Sequence, residues 1–232
     1  MFKPFQIKVK MVTPIVPGKF PLHLDSLVYW YLSNFYENDF EILEVLNTII
    51  DKQDDTYLCS AMYFEQKPKF VKSGIASKTD LMFSNLLDLD VINEYEIAGE
   101  TKLAAVHAIE SQNIFFNATC DREKIENVLN RINGIGRLTN SGFGEVHSVH
   151  FTELESDKSI ISDGKLMRVI KDIGLSKEQI ENIGGETGIG KFSPPYHTTN
   201  KSSIIIPKRL SFCTALKSQK RNKANVRKGG VK

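Results

Sequence analysis

Between Phe5 and Met11 the chain alternates. Phe5, Ile7, Val9 and Met11 share one parity, and Lys8 and Lys10 take the other. A period of two predicts a strand with one buried face. Pro14, Pro17, Gly18 and Pro21 then predict a loop. From His23 the period lengthens: Leu24, Leu27, Val28, Tyr31, Leu32 and Phe35 recur at helical spacing. Asp25 falls in the first turn, where its charge suits the helix dipole. The stripe assigns Tyr31 and Phe35 to core packing rather than to base stacking. Ile42, Val45, Leu46, Ile49 and Ile50 mark a second helix.

The run TYLCSAMYF (56–64) has strand composition, and residues 65–78 read as a basic connector poor in apolar side chains. Segment 79–112 predicts a short helix over 81–87 and a hairpin ending in KLAAVHAIE. Ile114, Phe116, Ala118 and Cys120 restore the period of two. Asp121 then caps a helix with the stripe Ile125, Val128, Leu129 and Ile132, and Asn133 and Gly134 supply left-handed residues to end it. After a glycine-rich stretch, FGEVHSVHFTEL resumes strand character. Its apolar parity shifts between Val146 and Val149, which predicts a bulge. Helices are expected over 164–174 and 176–183, then a glycine-rich turn, the segment FSPPYH and an apolar strand SIIIP.

Without the second helix and the 79–112 insertion, the order is βαββαβ. That order predicts an α+β, ferredoxin-like (RRM-like) core with helical and loop insertions and a C-terminal extension. The boundaries expected are a core domain over 1–156, an extension packing on it over 157–210, and a basic tail over 211–232.

Charge changes this picture at one end. From Lys201 onward there are ten Lys or Arg and no Asp or Glu, so residues 1–200 carry 20 basic and 28 acidic side chains, a net of −8. An acidic body with a basic tail points to a polyanionic partner, nucleic acid above all. Cys59, Cys120 and Cys213 are too few and too scattered for a zinc site or a disulfide framework, which favours a reducing cytoplasm. No apolar run approaches the roughly 20 residues that span a bilayer, so no membrane partner is expected.

Three motifs bear on chemistry. GETGIGK (185–191) satisfies the first seven positions of a phosphate-binding loop, but Phe192 stands where Ser or Thr must hold magnesium, and SPPY cannot open the required helix. It reads as a turn. His147 and His150 are three apart on a strand and so point to opposite faces, which argues against a paired acid–base or metal site. A lone histidine with a lysine and a tyrosine can still cleave RNA. The third motif is GIGRLTNSGFGEV (134–146), with four glycines around Arg137. Glycines allow close backbone approach, turn amides can form an anion-binding concavity, and arginine adds a bidentate phosphate contact. The plainer reading is a tight helix-to-strand connection, but four glycines exceed what such a connection needs.

GIGRLTNSGFGEV resembles the glycine-rich loop of the RAMP superfamily, CRISPR-associated RNA-binding proteins built on ferredoxin-like domains. PLHLDSLVYWYL (21–32) resembles the first-helix signature of the small RAMP subunit of type IV CRISPR effector complexes. KFSPPYH (191–197) is similar to a Pro-Pro-Tyr segment of that subunit, with His197 where tryptophan often stands. These segments run in the expected order across residues 1 to about 210.

The resemblance implies a non-catalytic subunit, without cofactor or metal, that binds the 5′ handle of a guide RNA. It would cap a backbone of RAMP subunits and contact the large subunit, meeting target DNA only indirectly, with an accessory helicase as a further partner. Gly134, Gly136, Arg137, Gly142 and Gly144 match the loop that touches RNA backbone. Lys67, Lys69, Lys72 and Lys78 are RNA-binding candidates from charge alone. The alternative is a RAMP endoribonuclease that matures the guide RNA.

Overall fold

The computed structural model describes residues 1–18, 20–77, 102–197 and 200–208. In chain order its elements are β1 (Lys3–Met11), α1 (Leu24–Leu32), α2 (Asp39–Ile49), β2 (Lys52–Gln53), β3 (Thr56–Tyr57), β4 (Lys69–Ser77), β5 (Lys102–Glu110), β6 (Asn113–Cys120), α3 (Arg122–Leu129), a 3-10 turn (Thr139–Ser141), β7 (Val146–Glu153), β8 (Ile161–Ser162), β9 (Lys165–Leu166), β10 (Ile170–Lys171), α4 (Lys177–Asn182), β11 (Gly185–Gly190) and β12 (Ser202–Pro207). The architecture is α+β, and its sheets are antiparallel.

β1 lies between β6 and β7, with Ile7 opposite both Phe116 and Phe151. On the outer edge of β6 the sheet continues through residues 57–64. There Cys59 bridges Ala118, Tyr63 bridges Phe115, and the Ser60 amide donates to the Asn117 carbonyl at 2.7 Å. Four stretches of chain therefore stand side by side in the order 57–64, β6, β1, β7. The apolar parity of β1 is buried against α1, α2 and α3 in one core, which includes Ile7, Val9, Leu24, Val28, Leu46, Phe116 and Leu129. Side-chain caps hold two of these helices. Asn38 accepts from the Glu41 amide at the start of α2, and Asp121 from the Lys124 amide at the start of α3.

The expected bulge is present. Lys10 faces Ser148 and Met11 faces Val146, which leaves His147 as the extra residue and lets Val146 and Val149 both pack on the core. Beyond β7 the chain builds a second antiparallel sheet in the order β10-β12-β11, with α4 over its small core of Leu166, Ile180 and Ile205. Ser176 starts α4 with a full capping box to Gln179.

Several expectations are corrected. Phe35 is 62 % exposed, because α1 ends at Leu32 and the following turn carries the ring off the core. Most of the 65–78 connector is strand β4, paired along its length with β5. The helix expected over 164–174 is absent. Asp163 and Gly164 both take positive φ and form a two-residue hairpin turn between β8 and β9. GETGIG is a strand, β11, rather than a turn, since β12 supplies a partner for every residue of it. α3 ends at the right-handed Asn130, and the left-handed positions come later, at Gly136, Leu138, Gly142 and Gly144. The helix expected over 81–87 lies outside the described residues. Among the described residues no helix is long and apolar enough to cross a membrane.

Candidate nucleic-acid interface

The glycine loop joins α3 to β7 and docks on the segment that follows β1. The Arg137 amide donates to the Val16 carbonyl at 2.9 Å, the Gly144 amide to the Pro14 carbonyl at 2.9 Å, and the Glu145 amide to Thr13 Oγ1 at 2.9 Å. Across the loop, the Ile135 amide donates to the Gly144 carbonyl at 2.8 Å and the Gly142 amide to the Thr139 carbonyl at 3.1 Å. Buried Ile135 and Phe143 anchor it, and Phe143 with Leu138 packs on Val16, Val71 and Ala108.

This geometry narrows the expectation of an anion-binding concavity of turn amides. The amides of Gly142 and Gly144 are engaged within the protein and are not donors for a ligand. Gly144 is required instead by close approach, since a Cβ there would stand 1.9 Å from the Ile135 carbonyl oxygen. At Gly136 a Cβ would meet the Val16 carbonyl oxygen at 2.8 Å, and at Gly134 the Thr139 side chain at 2.8 Å. What the loop offers outward is side chains. Arg137, Thr139 and Asn140 are exposed, as is Arg131 just before the loop.

Two hollows flank these groups. A cavity of about 190 Å³ lies between Arg137, Gly136 and the loop residues Pro17, Phe20 and Pro21. On the other side, a groove of about 600 Å³ runs between Trp30 and Phe35 and the residues Arg131, Thr139 and Asn140. Trp30 is 55 % exposed. Arginine and exposed aromatic rings lining one groove are the chemistry that holds phosphates and unstacked bases. Arg131, Trp30 and Phe35 were not singled out from the sequence as site residues. The helical stripe accounted for Phe35 as core, Trp30 falls outside that stripe, and a lone arginine carries no pattern.

The candidate lysines do not gather at the loop. Lys67 and Lys69 line a separate hollow that also contains Glu65 and Glu110, and Lys69 is paired with Glu110 at 3.2 Å. Lys72 sits on β4 opposite His107, one position from Val71, so it stands on the face of the hairpin turned away from the loop. Lys78 lies outside the described residues.

The other two segments that carry the family resemblance meet in space. His23 and Asp25 from PLHLDSL and Tyr196 from KFSPPYH form one hydrogen-bonded chain with Arg168. The Val169 amide donates to His23 Nε2 at 3.2 Å, so the neutral ring carries its proton on Nδ1, which lies 2.9 Å from the Tyr196 hydroxyl. That hydroxyl donates to Asp25 Oδ1 at 3.0 Å, and Arg168 Nη2 donates to Asp25 Oδ2 at 3.1 Å. Arg168 is fully buried, and its other donors reach the carbonyls of Tyr57, Cys59 and Phe192. Burial, reinforced by the Arg168 charge, lowers the His23 pKa to about 3 and keeps the ring neutral.

These groups are saturated by one another, so their chemistry is positional. They fasten the extension to the start of α1. Burial also pushes the Cys120 thiol up to about 12 and raises that of Cys59, which leaves neither as a thiolate nucleophile. On β7 the exposed His150 has its Nε2 3.2 Å from Ser148 Oγ. Among the described residues no group of three or more His, Cys, Asp or Glu side chains is placed to hold a metal ion.

Compared with known protein families and with curated proteins, the chain matches none.

Proposed function

We propose that this protein is a structural RNA-binding subunit of a CRISPR-type ribonucleoprotein, built on a ferredoxin-like (RRM-like) core. The strand order 57–64, β6, β1, β7, with α1 and α3 in the two crossovers, supports that core. The observation that carries the functional reading is the groove in which Arg131, Thr139 and Asn140 face the exposed rings of Trp30 and Phe35, with Arg137 across the loop. Single-stranded RNA is held by this combination of guanidinium, short polar groups and stacking faces. The guide RNA handle is the proposed ligand, RAMP backbone subunits and a large subunit are the proposed protein partners, and the role is architectural rather than catalytic.

The test uses the full chain and a labelled single-stranded repeat RNA at moderate salt. Arg131→Glu and Arg137→Glu together are expected to weaken retention at least about tenfold, as lost phosphate contacts do. Retention unchanged by the pair, but abolished by deleting residues 211–232, would assign binding to the tail and remove the role given to the loop. Incubation of the same RNA without metal is expected to leave it intact.

A further inference from the structure

A second cavity, of about 480 Å³, opens on the other side of Phe20 and Pro21, between α1 and the C-terminal sheet. Its size falls in the range of small-ligand sites. The floor is His23 and Tyr196, whose polar atoms are engaged with each other and with Val169 and Asp25. One wall is aliphatic, from Val169 and Ile204. Gly190 borders it, and a Cβ there would stand 2.6 Å from Ile204 Cδ1, so that side chain would have to shift.

The opposite wall is aromatic. The Tyr29 and His197 rings lie 6.1 Å apart at 50°, and both are tied to Asp39: Tyr29 donates its hydroxyl to Asp39 Oδ1, and His197 Nε2 sits 3.4 Å from the same oxygen. The Tyr29 ring is held by that hydrogen bond before anything enters, with the exposed His197 ring beside it. Two lysines complete the lining, Lys191 half-buried and Lys201 exposed, and among the described residues neither has an ion-pair partner. A cation partly withdrawn from water beside an apolar chamber calls for an anion.

A flat aromatic moiety against this wall, with a negative group at the lysines, describes a phosphorylated nucleoside. We infer that this cavity binds a nucleotide, its base against Tyr29 and His197 and its phosphate at Lys191 and Lys201. The site shares Phe20 and Pro21 with the Arg137 hollow, so the same chemistry fits a free mononucleotide or one nucleotide of a bound strand. The site stands on its own residues, whether or not the glycine loop holds RNA.

Calorimetric titration of the full chain with AMP, adenosine and inorganic phosphate tests it, in the wild type, in Lys191→Ala/Lys201→Ala and in His197→Ala. AMP is expected to bind at least about tenfold more tightly than adenosine or phosphate. The double variant should bring AMP down to the adenosine level, and His197→Ala should weaken AMP and adenosine alike. A parallel titration uses a 5′-phosphorylated RNA 10-mer in the Arg137→Glu background. If AMP fails to bind but the lysine changes weaken the 10-mer at least about tenfold, the nucleotide comes from a strand. The inference is overturned if AMP and phosphate bind equally, or if neither AMP nor the 10-mer responds to the lysine substitutions.

Discussion

Gly142 and Gly144 both stand at positive φ, yet the structure asks different things of them. Around Gly142 there is open space, so Gly142→Ala meets only the left-handed backbone penalty, about 1–2 kcal/mol. Gly144→Ala adds a collision with the Ile135 carbonyl, where only backbone can give way, and is expected to cost about 4 kcal/mol or more. Urea midpoints of the two variants check the contrast. His23 gives a pH prediction. Its folded pKa, about 3, lies below the ordinary histidine value, so the unfolded chain takes up the proton first as pH falls. The stability due to the neutral ring is therefore complete above about pH 6.5 and is lost toward pH 3, at about 1.4 kcal/mol per unit. The window from 6.5 to 5 isolates it from the carboxylates, and His23→Gln should flatten the unfolding free energy there.

At the scale of elements, α1 divides into two faces with separate work. Leu24, Leu27 and Val28 belong to the core, while Trp30 and, just past the helix end, Phe35 line the groove beside the glycine loop. Trp30→Ala and Phe35→Ala should each change stability by no more than about 0.5 kcal/mol, as exposed positions do. Each should nonetheless lower RNA affinity by roughly 1–3 kcal/mol if the ring stacks on a base. Denaturation beside an RNA filter-binding titration separates the two readouts. Periodicity made β1, α2, β6 and α3 legible because each buries a stripe that repeats within its own length. It failed at Phe35 because whether the end of a stripe is covered depends on what packs there, not on spacing. The helix expected over 164–174 passed over Asp163-Gly164, although Asp-Gly is a two-residue hairpin signal. β4 and β11 carry lysines and glycines that read as connectors until β5 and β12 supply their hydrogen bonds.

At the scale of the whole molecule, one buried ion pair ties the extension to the body. Asp25 and Arg168 are 143 residues apart in sequence and 3.1 Å apart in space, both fully buried. Asp25→Asn would strand the guanidinium without a counter-charge and is expected to cost roughly 3–5 kcal/mol. Asp25→Leu with Arg168→Met should recover only part of that loss, because no charge is then left unpaired but the Cys59 and Phe192 carbonyls and the Tyr196 hydroxyl lose their partners. Guanidinium unfolding of the three proteins, followed by a probe in each part, should show a single transition throughout. Two transitions in the wild type would mean that the tie does not couple the two parts.

The amino-acid sequence by itself determined the elements that bury a periodic face, the acidic body with its basic end, the bulge in β7 and the place of the glycine loop between a helix and a strand. Each is a local property, set by side-chain alternation, helical spacing or counted charge. Tertiary structure alone decided that the loop turns most of its amides inward and its arginine outward, that Lys67 and Lys69 sit by carboxylates away from it, and that His23, Asp25, Arg168 and Tyr196 form one chain. Those outcomes depend on which distant backbone carbonyl or charge comes within about 3 Å, and no pattern along a chain specifies that distance.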